Sequence, residues 1–198
     1  MADPANGDLD AFTDTVAQLK RRMQPVVYLL MEAMRELRED DVLSVGEIDR
    51  WLDRFLLSRI GTEMLTSQYQ ACAIPGSGGW SGCIGIVHDR CCPAAIVERA
   101  AARAQRLCAE HFHVMQEVRI DVQSMQDSCG VRPLSFTYPP QYLFYMLLEL
   151  LKNSARATVE AACKDPHLIH AKPISVSVSA DERQVVVRIE DRAGGIPQ

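Results

Sequence analysis

The chain has 198 residues, enough for one large domain or two small ones, and its 47% hydrophobic content can furnish a packed core. A formal net charge of −5 gives no support to nucleic-acid binding, and no apolar run is long enough to span a membrane. The seven cysteines, Cys72, Cys83, Cys91, Cys92, Cys108, Cys129 and Cys163, are odd in number and irregularly spaced. That pattern argues against a disulfide scaffold and fits reduced thiols. The opening Met1-Ala2-Asp3-Pro4-Ala5-Asn6-Gly7-Asp8 is acidic and polar, unlike a signal peptide or an Arg-rich transit peptide.

From Asp8 to Asp40, Leu9, Phe12, Val16 and Leu19 recur at three- and four-residue steps, which predicts a helix. Pro25 predicts a break, after which Val26, Leu29, Leu30, Ala33 and Leu37 form a second apolar face. Ser44 and Glu47 have the spacing of a capping box. The helix they open is expected to run to about Cys72, with Ile48, Trp51, Leu52, Phe55, Leu56, Ile60, Met64 and Leu65 on one stripe. Trp51, Phe55 and Met64 are expected in the core. The glycine-rich run from Ala73 to Gly82 reads as a loop. Residues 1–82 are therefore expected to be part of a helical bundle.

Cys83 to Val87 reads as a short strand or extended segment and His88-Asp89-Arg90 as a loop-like stretch. Pro93 opens a helix to about Glu110, with Ile96, Val97, Ala100, Ala104 and Leu107 on its face. Cys108-x-x-His111-x-His113 comes nearest to metal-ligand spacing. It reads better as a helix end, with Cys108 in the core and the histidines near the terminus. Alternation then predicts strands at Val118–Val122 and Leu134–Tyr138. A helix follows Pro139-Pro140, and two more strands, Ile174–Val178 and Val185–Ile189, are joined by a turn at Ala180–Arg183. The fold class expected is α+β, with a helix layer on a mixed sheet over residues 83–198.

The helix after Pro140 contains Glu149-Leu150-Leu151-Lys152-Asn153-Ser154-Ala155-Arg156-Ala157-Thr158-Val159-Glu160. At about 100° per residue, Glu149, Lys152, Asn153, Arg156 and Glu160 share a stripe, with Leu143, Leu147, Leu150, Leu151 and Ala157 opposite. Such a stripe is commonly a solvated face. Asn, however, is a poor mid-helix residue, and here it lies one turn after a carboxylate. An amide oxygen can ligate Mg²⁺ beside phosphate oxygens, and the carboxylate can take a proton. Spacing alone leaves both readings open.

The run Glu149–Glu160 resembles the N box of the GHKL superfamily, in the form carried by the mitochondrial kinases of 2-oxoacid dehydrogenase complexes. Asp191-Arg192-Ala193-Gly194-Gly195-Ile196-Pro197 resembles that family's first glycine box, and Trp51–Ile60 with Met64-Leu65 is also similar to it. The resemblance implies a GHKL α/β sandwich and an ATP-dependent protein serine kinase acting on the dehydrogenase component of such a complex. It implies Glu149 as general base, Asn153 as the Mg²⁺ ligand, and Lys152 and Arg156 as offsets to phosphate charge or holders of Glu149. Asp191 would accept from the adenine amino group, with Gly194 and Gly195 lining the base pocket. The partners implied are the dehydrogenase and the lipoyl-bearing core, with homodimerisation at full length and a mitochondrial matrix location.

This sequence departs from the family at several points. Ala193 stands where the family usually has Gly, and Tyr69 where relatives often carry His. The ATP lid, second glycine-rich box and C-terminal tail do not follow, and the first bundle helices do not precede. The 198 residues by themselves are therefore expected to bind ATP weakly and not to phosphorylate a substrate. The alternative is a catalytically incompetent protein acting through partners. A sensor histidine kinase is a weaker match, because the long helices before His88-Asp89 contain no His.

Overall fold

The computed structural model describes residues 4–40, 42–73, 82–112, 118–124, 134–162, 173–180 and 184–195. The chain divides into two compact units, Met1–Ile86 and Val87–Gln198. The expected glycine-rich loop, at 74–81, and the turn at 181–183 lie outside the described residues.

The first unit holds helices α1 (Pro4–Met23), α2 (Val26–Glu39) and α3 (Val45–Ala73) and the short strand β1 (Cys83–Ile84). Pro25 has no N–H to continue α1 and stands instead at the N-cap of α2, which is the break expected there. Ser44 and Glu47 form their capping box: the Glu47 carboxylate accepts from the Ser44 N–H at 3.0 Å and from its hydroxyl at 2.6 Å. Those two bonds hold the Glu47 carboxyl below its ordinary range.

α1 and α3 run antiparallel, as their contacts show. Phe12 packs edge-on against Tyr69 with ring centroids 5.1 Å apart, and the Thr13 and Tyr69 hydroxyls are 2.7 Å apart. Eight residues on from Phe12, Lys20 meets Ser67 at 2.6 Å and Glu63 at 2.9 Å. The expected core stripe of α3 is not buried. Trp51 is 46% exposed and Met64 37%, Phe55 is half-buried, and of the stripe only Ile48 is buried. The reason is that α3 turns Glu63, Ser67 and Tyr69 toward α1. Polar bonds and the Phe12–Tyr69 ring pair make that contact, and Trp51 is left stacked on Phe55 at 5.3 Å.

Cys83–Val87 is not one strand. Gly85 has φ +62° and turns the chain between β1 and the next strand, so His88-Asp89-Arg90 belongs to that strand and not to a loop. The Gln68 side chain secures the turn. It donates to the Ile84 carbonyl at 3.2 Å and accepts from the Ile86 N–H at 2.9 Å.

The second unit contains β2 (Val87–Cys91), α4 (Pro93–Phe112), β3 (Ile120–Ser124), β4 (Phe136–Tyr138), α5 (Pro140–Ala162), β5 (Ile174–Ala180) and β6 (Val185–Glu190). β2 and β4 pair antiparallel, with an irregularity between His88 and Cys91. β3 pairs parallel with β5, which pairs antiparallel with β6, so the sheet is mixed as expected. β5 is central in that sheet and alternates cleanly: Ile174, Val176 and Val178 are buried. They meet Val97, Ala100 and Ala104 of α4 and Leu147, Leu151, Ala155 and Val159 of α5 in one core.

α4 and α5 make the most extensive contact of any two elements. Both helices bury small residues: Ala100, Ala101, Ala104 and Cys108 on α4, and Ser154, Ala155, Thr158 and Ala162 on α5. Thr158 is satisfied within its helix, donating to the Ser154 carbonyl at 2.8 Å. The buried face of α5 is therefore rotated from the expected leucine stripe, and Leu150 is exposed.

Candidate active site

Pro140 begins α5, and its missing N–H falls where a helix has no partner for one. Two and a half turns later the helix emerges beside the C-terminal end of α4 and a cleft opens between them. Leu107, Cys108 and His111 form one wall, and Glu149, Lys152, Asn153 and Arg156 the other, around a cavity of about 400 Å³. A volume of that size lies in the range of small-molecule sites.

Lys152 Nζ donates to both Glu149 carboxylate oxygens at 3.0 Å. The two side chains are about equally half-buried, at 41% and 40% exposed. Arg156 turns the other way along the stripe, with Nε 2.7 Å from Glu160 Oε1. That hydrogen bond and the charge of Glu160 raise the Arg156 pKa, so the guanidinium is a permanent cation. Asn153 is exposed on the cleft wall between the two pairs.

The glycine turn stands apart from this cleft. Asp191, Gly194 and Gly195 follow β6, are exposed, and are not among the residues lining the cavity. Asp191 Oδ1 accepts from the Ala193 N–H at 3.2 Å, an Asx-type turn that fixes the carboxylate against its own backbone. Gly194 at φ +112° and Gly195 at +82° lie in the left-handed region that disfavours side chains.

The α4 wall was not anticipated from the sequence. Cys108 is buried as expected, and burial raises its thiol pKa, but it also faces the cleft together with Leu107 and His111. Their three- and four-residue spacing was legible. Nothing in the α4 sequence shows which part of its face the Glu149 stripe would meet. His113, Cys129, Cys163, Ile196 and Pro197 lie outside the described residues. Among the described residues, no helix is long and apolar enough to cross a membrane.

The donor set fits a metal–polyphosphate ligand. An accessible amide oxygen and a carboxylate are hard oxygen donors of the kind Mg²⁺ takes, and two cations flank them.

The family described as mitochondrial branched-chain alpha-ketoacid dehydrogenase kinase matches residues 3–88. The mitochondrial [pyruvate dehydrogenase (acetyl-transferring)] kinase isozyme 4 of Rattus norvegicus is 29% identical over 192 residues, 96% of this chain and 45% of its own length. The Homo sapiens isozyme 4 is also 29% identical over 192 residues, covering 96% of this chain and 46% of its own. The mitochondrial [pyruvate dehydrogenase (acetyl-transferring)] kinase of Drosophila melanogaster is 29% identical over 204 residues, covering all of this chain and 48% of its own. The chain thus spans about half the length of the curated relatives it matches.

Proposed function

We propose that this chain belongs to the mitochondrial 2-oxoacid dehydrogenase kinase family, as its similarities suggest, and carries the phosphate-end machinery of an ATP-dependent protein serine kinase. Its substrate would be the dehydrogenase component of a 2-oxoacid dehydrogenase complex. The observation that carries this is the cleft itself, where a carboxylate, an amide and two cations from one helix share a cavity.

Glu149 would act as general base. As a substrate serine hydroxyl attacks the γ-phosphorus, an O–P bond forms and the bond to the β-phosphate oxygen breaks. ADP leaves with that electron pair, and the hydroxyl proton goes to Glu149. Asn153 would ligate Mg²⁺, which supplies charge neutralisation across the phosphates when bound. Lys152 and Arg156 offset the remaining charge. Asp191, held by its own backbone turn, would accept from the adenine amino group, with Gly194 and Gly195 letting the base approach. The ATP site would then be of the GHKL type. The chain is mitochondrial by kinship with relatives named as such. A matrix location, the lipoyl-bearing core as a partner and a full-length homodimer belong to the same proposal.

The test is phosphorylation of a dehydrogenase peptide by the full-length protein that contains this chain and by its Glu149→Gln variant. Loss of a positioned base lowers turnover by about 10²–10⁴-fold, with no loss of nucleotide affinity. Near-normal turnover in the variant would remove Glu149 from the mechanism. Absence of nucleotide binding in the wild type would sink the kinase assignment.

A further inference from the structure

A base must offer an oxygen lone pair to the proton it takes. In this cleft the Lys152 ammonium, 3.0 Å from both Glu149 oxygens, already takes one acceptor site on each. The other cation, Arg156, is held by Glu160. In this arrangement each cation that the proposed reaction needs against phosphate is bound to a carboxylate instead.

The Lys152–Glu149 pair is suited to opening. It joins residues one turn apart on α5, and both side chains are roughly two-fifths exposed. Ion pairs at such positions are weak, because water solvates the partners nearly as well. Lysine is a compact charge on a flexible four-carbon stem with three rotatable donors, so it changes partner without backbone movement. A polyphosphate is the stronger acceptor, since its oxygens share more than one negative charge.

We propose that Lys152 is a positioning residue that exchanges partners on ligand binding. It covers Glu149 in the empty cleft and moves to the nucleotide's phosphates in the occupied one. The carboxylate is then uncovered only when the group to be transferred is present, so the cleft holds back its base until it is loaded. This inference rests on the kinase reading of the cleft.

A double-mutant cycle on ATP affinity, measured by calorimetry on the purified protein, tests it. If Lys152 must leave Glu149 in order to bind phosphate, Glu149→Gln removes the competitor and tightens ATP binding. The expected gain is about 2–5-fold, the strength of an exposed pair expressed as affinity. In the Lys152→Met background that gain should be absent. Simple repulsion between Glu149 and the ligand would give an equal or larger gain in that background. An equal gain in both backgrounds, or no gain in either, overturns the exchange.

Lys152→Arg gives a second readout. A guanidinium grips a carboxylate through two parallel bonds and is less free to leave. In the full-length protein that contains this chain, turnover should fall about 5-fold or more with the KM for ATP little changed. Full activity in Lys152→Arg would overturn the proposal. A wild-type protein that binds ATP while the cycle fails loses only the exchange; one that binds no ATP loses the kinase reading as well.

Discussion

Gly85→Ala probes how the turn after β1 is held to α3, and its cost can be worked from the structure. Two separate penalties arise. The first is conformational: φ is +62°, a left-handed backbone that costs an L-residue with a Cβ about 1–2 kcal/mol. The second is a collision, since a Cβ at this position would stand 2.6 Å from Gln68 Cδ. The atoms it meets are the end of a flexible side chain, so Gln68 can swing away. In doing so it gives up its bonds to the Ile84 carbonyl and the Ile86 N–H, about 1 kcal/mol each at most. Gly85→Ala should therefore cost about 2–4 kcal/mol in the wild-type background. In Gln68→Ala, where nothing remains to collide with, it should cost only the conformational 1–2 kcal/mol. Urea unfolding followed by tryptophan fluorescence measures this unit selectively, because Trp51 and Trp80 both fall within Met1–Ile86. Equal costs in the two backgrounds would show that the Gln68 clamp does not hold the turn.

Leu151→Ala removes a fully buried side chain from the middle of the second unit's core and should cost about 2–5 kcal/mol in urea unfolding followed by circular dichroism. Leu151→Met, which conserves volume, should cost under about 1.5 kcal/mol. Phe55→Ala, at a half-buried position stacked on an exposed Trp51, should fall well short of the roughly 3–5 kcal/mol of a buried phenylalanine; a loss in that range would show that the face is covered in solution. For Glu63, burial pushes the pKa up, but the hydrogen bonds of Lys20 and Ser67 and the charges of Lys20 and Arg59 outweigh it, and the net shift is below the ordinary 4.5. A lowered carboxyl stabilises the fold above its unfolded pKa and loses that stabilisation as pH falls through the folded value. The first unit should therefore lose under about 1 kcal/mol on acidification below pH 4.5, and Lys20→Met should flatten that limb of the stability–pH curve.

The elements were legible where one local cause decided them. Pro25 ended a helix, Ser44 and Glu47 capped one, and the alternation of Ile174, Val176 and Val178 marked the central strand. What was not legible depended on partners. The α3 stripe looked like core because apolar spacing identifies a face and not what it will meet. In the fold α3 gives Lys20 its polar residues and leaves Trp51 exposed. The buried face of α5 was misplaced for a related reason. It runs through Ser154, Ala155 and Thr158 as well as Leu147 and Leu151, and those small residues carry little hydrophobic signal in sequence. The turn at Gly85 was not legible because its positive φ leaves no mark in sequence beyond the residue's identity.

The stripe on α5 shows how both readings of a polar helix face can hold on one helix, and this yields a last prediction. At its C-terminal end, Arg156 pairs with Glu160, two exposed residues one turn apart, and Glu160 does not line the cleft. One turn toward the N-terminus the same face meets Leu107, Cys108 and His111, and there the residues line a cavity. Asn153 sits within the walled part, yet its side chain is exposed and none of the core depends on it. Asn153→Ala should therefore change unfolding free energy by no more than about 0.5 kcal/mol, as for surface positions generally. Alanine is also the better helix former, so the sign should favour stability. If Asn153 is the Mg²⁺ ligand, the same variant should bind Mg²⁺-nucleotide far more weakly while its affinity for metal-free nucleotide barely moves. Titrations with and without Mg²⁺ decide the matter. Equal losses in the two, or a stability loss above about 1 kcal/mol, would make Asn153 a structural residue and leave the cleft without its metal ligand.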